Sequence, residues 1–557
     1  MARTAQVRYM PVKQGVPSWA DSAPMPRLIL TFPHGVNENI TTQLGECSEG
    51  YNFDLQAFRS SLNPRMPFDL KGTATNAGKV TSLMQLIKRD NTETTLVCAG
   101  STVYQWDGAS SFTSKATGLT TDALLREAYW SLDDYLVITD LNLNNVVKKW
   151  DGTTFSTLTH TGIAGNLYAK FAIVHLNRVW LFNIKIGADE YPHMILACAF
   201  EDPTNWDNGT RGGDSTVGGD TFSTGLEAFY LLVPDLKPIN GVTLFQDKLV
   251  ISTAQGRVWQ LSGSSAKDFQ IKDFHDTAPA IGTNVLQSIG NDVLFPRQGN
   301  SLTLLYATQA FGNALQSNVG HWIPTTLSNI TQFNEIVYDI TNQRALVFVN
   351  GKVLVLFKDL LAQDRVLLEA GTSPWSIYTT LDSASFNTVA AKYMLRPGTS
   401  TYSVFFGDSS GRVFDLYGTN TSGDASDTGN LVQTVRKSRH IGVEVLNPWP
   451  YIEENITGHL RYRRLVETSL QVSFDWDDAY TTTLNNVTLK GPAAGDSAPY
   501  FGGEVYFGGA FYFNAGFSAA NFPSSMNINP AGKGPGFYLT LSASSATPWQ
   551  VDQLELD

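Results

Sequence analysis

A two-strand unit returns along this chain at uneven intervals: an apolar strand, a polar turn, then a second strand that carries an aromatic and closes on glycine or asparagine. One copy runs from Thr95 to Gly108 and a cleaner one from Leu249 to Gly263. Others span Tyr135 to Gly152, Phe171 to Asn183, Leu294 to Tyr306, Ala345 to Phe357 and Val404 to Gly418. Alternation with a period of two marks half-buried strands, and Gly or Asn in the turn supplies the positive φ that tight hairpins need. A lone hairpin buries too little to stand by itself, so a tandem set predicts a radial or stacked β architecture. The expected fold is all-β: a β-propeller of roughly six to eight blades, preceded by an N-terminal arm and followed by a C-terminal β-sandwich-like platform.

At 557 residues the chain exceeds one core, and two or three domains are the natural expectation. Only 16% of residues are charged, against about 25% in a typical domain, which suits a β-rich body that meets its neighbours over neutral surfaces. Long Glu/Lys/Leu helical stretches are absent, and the nearest candidate for a helix is Thr120 to Trp130. The net charge of −12 argues against a protein that grips nucleic acid by neutralising phosphates. It is compatible with one that lets nucleic acid slide past an acidic wall, although ordinary solubility charge is the simpler account. Cys47, Cys98 and Cys198 are odd in number and far apart, without a CxxC pair, so neither a zinc site nor a disulfide framework is expected. Residues 1–8 lack an apolar signal core, and no run of about 18 apolar residues occurs. The expectation is a protein made and folded in a reducing cytoplasm, with no membrane partner.

Three regions follow from texture. Residues 1–75 read as an arm and lead-in, broken by Pro11, Pro17, Pro24, Pro26 and Pro33. Residues 76–418 carry the hairpins at spacings of roughly 35 to 55 residues, as four-stranded blades with insertions would. The longest insertion is read from Ala188 to Ala228. Gly418 to Gly429 reads as a linker or exposed loop, and residues 419–557 form the platform, where Leu460–Val466, Leu470–Trp476 and Phe537–Ser542 alternate as sandwich strands do. Between these strands, Tyr500 to Phe517 sets glycine pairs among aromatics, which serves either a subunit contact or local packing.

The motifs that suggest chemistry fail on context. Gly407-Asp408-Ser409-Ser410-Gly411 matches a serine nucleophile elbow, but strand-like sequence stands on both sides where the elbow needs a helix after it. The same stretch, to Phe414, is one residue too long for a sialidase-type aspartate box. Asp140 to Asn145 begins like a calcium loop, with Asn where the turn glycine belongs and Asp151 where the bidentate Glu should be. Asp475 and Asp477 share a strand face around Trp476, with Asp478 beside them, and a solvated strand end accounts for them. Gly78-Lys79-Val80-Thr81 lacks the spaced glycine of a phosphate loop, and the eight histidines lack zinc-hydrolase spacing. The one basic cluster, Arg436, Lys437 and Arg439 with Arg461, Arg463 and Arg464, fits intersubunit pairing with the acidic excess better than phosphate contact. No catalytic, cofactor or metal residues are expected.

Several stretches together resemble a known family. Leu244–Thr253, Gly256–Gly263, Ile281–Ile289 and Val293–Gly299 follow one another as in the central part of phage tail propeller proteins. Asn177–Phe182 followed by Phe200–Asp207 is similar to the blade of such proteins that ends in an Asp-Pro-x-x-Trp loop. Asn52–Leu55 with Leu62–Arg65 resembles their lead-in, and Gly536–Leu539 with Trp549–Leu556 their terminal β domain. The family is the tail nozzle, or tail tubular protein B, of short-tailed bacteriophages, with the packaged-DNA stabilisation proteins as kin. The resemblance implies a structural virion protein in the tail: a ring, commonly a homohexamer, below the portal adaptor ring and next to tail fibre or tail tip proteins. Duplex DNA would pass through its channel without sequence-specific binding, retained and then released at ejection. It implies no catalytic residues and no cofactor. Two other classes remain open: a carbohydrate- or receptor-binding propeller of a phage tail, and a propeller glycan hydrolase using Asp475 or Asp477.

Overall fold

The computed structural model describes residues 28–30, 35–39, 46–56, 59–74, 78–207, 225–254, 257–275, 282–297, 301–307, 314–349, 351–362, 373–379, 390–417, 426–427, 430–438, 458–463, 468–476, 480–489, 523–528, 537–545 and 550–556, with positions 280, 299 and 388. Among these residues it is all-β, 59% strand against 3% helix. Two compact units share the chain: residues 1–67, 355–381 and 418–557 form one, and residues 68–354 and 382–417 the other.

The second unit is a β-propeller. Among the described residues it holds seven antiparallel meanders. Their innermost strands are Val80–Ile87, Leu125–Trp130, Leu167–His175, Ile239–Phe245, Gln287–Ser288, Phe333–Asp339 and Ala390–Leu395, here taken as blades 1 to 7. Each of these touches the next in order, and the last touches the first, so the inner strands form a closed circuit. The sixth blade continues through Arg344–Val349 and Lys352–Phe357 before the chain passes into the other unit. Every hairpin singled out in the sequence is present, and most are the second and third strands of a blade. The turns behave as their residues require: Asp107 accepts from the backbone amides of Ala109 (2.8 Å) and Ser111 (3.1 Å), and the next residue, Gly108, stands at φ +88°.

The core lies between blades rather than inside them. Met84, Leu86, Leu96 and Cys98 of blade 1 pack on Leu125, Leu136, Ile138 and Trp150 of blade 2. Trp180, Phe229 and Phe269 meet across blades 3 and 4, with ring centroids 5.0 to 5.5 Å apart. Blade 7 takes its outer strand, Asp69–Thr73, from before the first blade, pairing Arg412 with Thr73 and Asp415 with Asp69. The propeller thus begins ahead of residue 76. Blades 7 and 1 are then sealed by Val80, Val97, Trp106, Phe405 and Val413, with Trp106 edge-on to Phe405.

The first unit is a platform of two six-stranded sheets. Leu28–Leu30, Phe53–Gln56 and Arg59–Pro64 join Gly458–Arg463, Pro523–Ile528 and Gln550–Leu556 in one of them. Cys47–Tyr51 joins Ser426–Asp427, Asn430–Ser438, Thr468–Trp476, Tyr480–Leu489 and Phe537–Ser545 in the other. The described strands of the lead-in are therefore woven into the C-terminal sheets, while Pro11, Pro17, Pro24, Pro26 and Pro33 lie outside the described residues. The 373–379 segment is tied to it as well: Gly35 N–H donates to the Ser373 carbonyl (2.7 Å), and the buried Arg65 donates to Asn52 Oδ1 (2.8 Å) and the Thr379 carbonyl (2.9 Å).

Two sequence expectations are corrected. Thr120 to Trp130 is not helical: Leu125–Trp130 is the inner strand of blade 2, paired in full with Tyr135–Asp140. Its Leu-Arg-Glu-Ala run favours helix locally, and the ladder overrides that preference. The insertion from Ala188 is shorter than read, because Asp189–Ala197 is the third strand of blade 3. Its Pro192 lacks an N–H, and it sits where the register with Arg178–Ile186 shifts, between the Tyr191 and Ile195 pairings, so no ladder bond is missed.

The seal between blades 7 and 1 leaves no room for a side chain at Gly407, where an added Cβ would lie 2.2 Å from Val80 Cγ1. Gly407→Ala is expected to lower the stability of the propeller by about 1–3 kcal/mol, read as an earlier denaturant midpoint with an unchanged slope.

Candidate functional site

The first strand of each blade is apolar on the sides that meet its neighbours, which leaves polar residues for the hub. Four charged side chains stand there: Arg126 and Glu127 of blade 2, Glu335 of blade 6 and Lys392 of blade 7. They line a cavity of about 370 Å³ together with Asn284 and Tyr393. Arg126 Nη2 lies 2.5 Å from Glu335 Oε2, and Lys392 is ion-paired with Glu127. Both pairs join blades that are not neighbours in the ring, so they span the hub rather than stitch adjacent strands. Asn284, held at φ +63° with its N–H on the Asn240 carbonyl (3.0 Å), donates from Nδ2 to Glu335 Oε1 at 3.0 Å.

Burial pushes the Glu335 carboxyl up to about 7, against the pull of Arg126 and of the Asn284 amide. Burial, and after it the Arg126 charge, push the Lys392 ammonium down to about 7, while the Glu127 carboxylate in contact opposes that shift. Each charge faces its opposite, so the cavity offers a ligand little net charge. Arg126 Nε is buried without an acceptor among the described residues. The arrangement can brace the ring.

The sequence motifs are placed elsewhere. Asp408 to Gly411 is the hairpin turn between Tyr402–Gly407 and Arg412–Asp415, as the flanking strands implied. Asp408 is fully buried and accepts from the amides of Ser410 and Arg412 (2.9 Å each) and from Arg412 Nε (2.6 Å), which occupies it structurally. Asp140 closes its own loop by accepting from the amides of Asn142 (3.0 Å) and Asn145 (3.1 Å). Among the described residues no group of three or more His, Cys, Asp or Glu is disposed to hold a metal. Asp475 lies one residue before the end of the strand Thr468–Trp476, while Asp477 and Asp478 lie outside the described residues, as do Arg439, Arg464 and the stretch from Tyr500 to Phe517. Arg436 and Lys437 belong to Asn430–Ser438, and Arg461 and Arg463 to Gly458–Arg463, in different sheets of the platform. The three cysteines are buried and form no disulfide with one another, and burial first of all drives the Cys98 thiol up to about 11 and Cys198 to about 12.

Sequence reading missed the hub. Its signal is a charged residue inside an otherwise apolar first strand: Arg126 and Glu127, Glu335, and Lys392. Only the closed circuit reveals that these four positions converge.

No protein-family model matches the chain, and no curated protein matches it. Solved propellers do. The β-propeller domain of Cps50 (Swd1) from Myceliophteria thermophila is 12% identical, with a TM-score of 0.39, covering 63% of this chain and 99% of that domain. The WD40 β-propeller domain of Doa1 is 10% identical with a TM-score of 0.38, covering 64% and 98%. The RRP9 WD40 repeats are 9% identical with a TM-score of 0.41, covering 63% and 98%. At this distance the likeness concerns the fold alone.

Two variants test the hub. Arg126→Met strands the Glu335 carboxylate in a buried place, and a loss of about 3 kcal/mol is expected, largely recovered in Arg126→Met/Glu335→Leu; chemical denaturation of the three proteins measures it. The second test is pH. The folded protein binds the Glu335 proton more tightly than the unfolded chain, so this group's contribution is fully present at acid pH and is lost as pH rises from about 4.5 to about 7. Glu335→Gln lacks that slope, and its stability relative to wild type is expected to rise from pH 5 to pH 8. Lys392 is common to both proteins and cancels in the comparison.

Proposed function

We propose that the chain is a structural, non-catalytic subunit of a phage tail nozzle, assembled as a ring, commonly six copies, around the path of the genome. The observation that carries this reading is how the chain is threaded. It passes between platform and propeller at residues 67/68, 354/355, 381/382 and 417/418, and the propeller is itself closed by a strand from the chain's beginning. Four covalent crossings and a closed ring suit a part that must resist force without coming apart. The stretches that resemble the tail nozzle family run through both units. The hub supports the same reading from another side: Arg126–Glu335 and Lys392–Glu127 span the propeller's centre, so DNA would follow the axis of the assembly, not the axis of each propeller. The acidic chain would repel phosphates along that path and leave no sticky sites. In the virion its neighbours would be the portal adaptor ring and the tail fibre or tail tip proteins.

Sedimentation and electron microscopy of the purified chain, alone and with a portal–adaptor complex, test the proposal. A ring that joins the complex is expected. A strict monomer that never joins it overturns the reading. Duplex DNA affinity of the ring is expected to be weak and nearly independent of salt, and tight binding at low salt would remove the conduit role.

A further inference from the structure

We propose that residues 68–74 are a releasable strap, and that the propeller opens and recloses at the seam between blades 7 and 1 while its other seams stay shut.

The path of the chain singles out that seam. Blades 1 to 6 follow one another along the sequence, and blade 7 comes next after residues 355–381. From blade 7 the chain leaves for the platform at 417/418 instead of entering blade 1. The direct covalent route between these two blades is the strap, which pairs with blade 7 as Asp69–Thr73 and leads into blade 1 at Val80. With the strap lifted, the loop that brings the two blades together is the propeller itself, from Val80 to Ala390, and closing a loop that long is entropically costly.

The strap is lightly held. Asp69, Leu70, Gly72 and Thr73 pair with Asp415, Phe414, Val413 and Arg412, the register slips between Val413 and Phe414, and among the described residues no strand pairs with the other edge. None of the residues Asp69–Thr73 is buried, and Leu70 is 38% exposed. The outer strand of blade 6, Trp375–Tyr378, is the contrast. It is buried throughout and is hydrogen-bonded along its far edge as well, from the Val36 N–H to the Trp375 carbonyl (2.9 Å) and from the Asn52 N–H to the Ile377 carbonyl (2.8 Å). A strand bonded on one edge with its side chains in water opens at a lower free energy than one bonded on both edges and buried.

The strap grips both blades, so its release loosens both. Phe68 is buried edge-on to Phe406 of blade 7, with ring centroids 5.2 Å apart, and Ala74 N–H donates to the Gly411 carbonyl (2.9 Å). Between them Gly72 lies against blade 1, where an added Cβ would stand 2.5 Å from the Ala109 carbonyl oxygen and 2.8 Å from Phe112 Cε2. Among the ties left across the seam are the apolar cluster around Trp106 and Phe405, the Gln85 bonds to Leu395, and the Gly398 amide on the Glu93 carboxylate. The strap follows from the threading of one chain and does not depend on the ring reading.

Thiol labelling reads the seams separately. Val97 and Cys98 are consecutive on one strand of blade 1 and buried on opposite faces, Val97 towards blade 7 and Cys98 towards blade 2. In Val97→Cys, with each rate normalised to the urea-unfolded chain, position 97 is expected to react about tenfold or more faster than Cys98. Equal rates would mean that both seams open together, which overturns the strap. Adding Gly72→Ala should raise the rate at position 97 further and leave Cys98 and Cys198 unchanged; a rise at all three thiols also overturns it. Hydrogen exchange of the wild-type chain repeats the test without a substitution in the core. Residues 69–74 and 412–416 are expected to exchange together and faster than Trp375–Tyr378, and protection equal to that strand's would refute the proposal.

Discussion

The propeller depends on closing a circle. Each blade covers one face of the next, so an open ring would leave two apolar faces in water, Val80, Val97 and Trp106 on one end and Phe405 and Val413 on the other. Two devices prevent this. The outer strand of blade 7 is borrowed from residues 69–73, so the last blade cannot complete until the beginning of the chain returns to it. At the inner edge the Gln85 side chain stands in for a strand, donating to the Leu395 carbonyl (2.8 Å) and accepting from the Leu395 amide (2.9 Å). Both are long-range contacts, and the entropy of closing the loop is offset only when the blade interfaces form with them.

The hub follows from that closure. Seven inner strands leave a small polar space, and four charges fill part of it in matched pairs. Partly removed from water, each charge is tolerable only beside its opposite, and removing one partner of a pair would leave the other uncompensated. Their shifted protonation is the sign of that balance: burial works against the charge on Glu335 and Lys392 alike. Elsewhere the aspartates that imitate catalytic motifs are spent on turns, where a carboxylate satisfies two or three backbone amides.

The hairpins were legible because a middle pair of strands is covered on both faces. The runs Leu249–Gly263 and Ala345–Phe357 are dense in apolar residues and carry a glycine, Gly256 and Gly351, between their two strands, which is local information. First strands were harder. Leu125–Trp130 carries Arg126 and Glu127 because one of its edges looks into the hub, and those residues made it look helical. Asp189–Ala197 looked like a loop because Pro192 and its charges are tolerated at a bulge on a half-exposed strand. The weaving of residues 28–64 into the C-terminal sheets left no local trace, since strands of ordinary composition do not name their partners.

By itself the sequence determined an all-β chain of repeated blades, a change of texture after residue 418, and turns that only resemble active sites. Those properties are written in periods of two and in the φ preferences of Gly, Asn and Asp, which act over a few residues. The tertiary structure decided that the blades number seven among the described residues, that residues 69–73 complete the last one, and that Arg126, Glu127, Glu335 and Lys392 meet at the hub. Such convergence depends on closing a ring over more than three hundred residues, and no local preference encodes where a circle will shut.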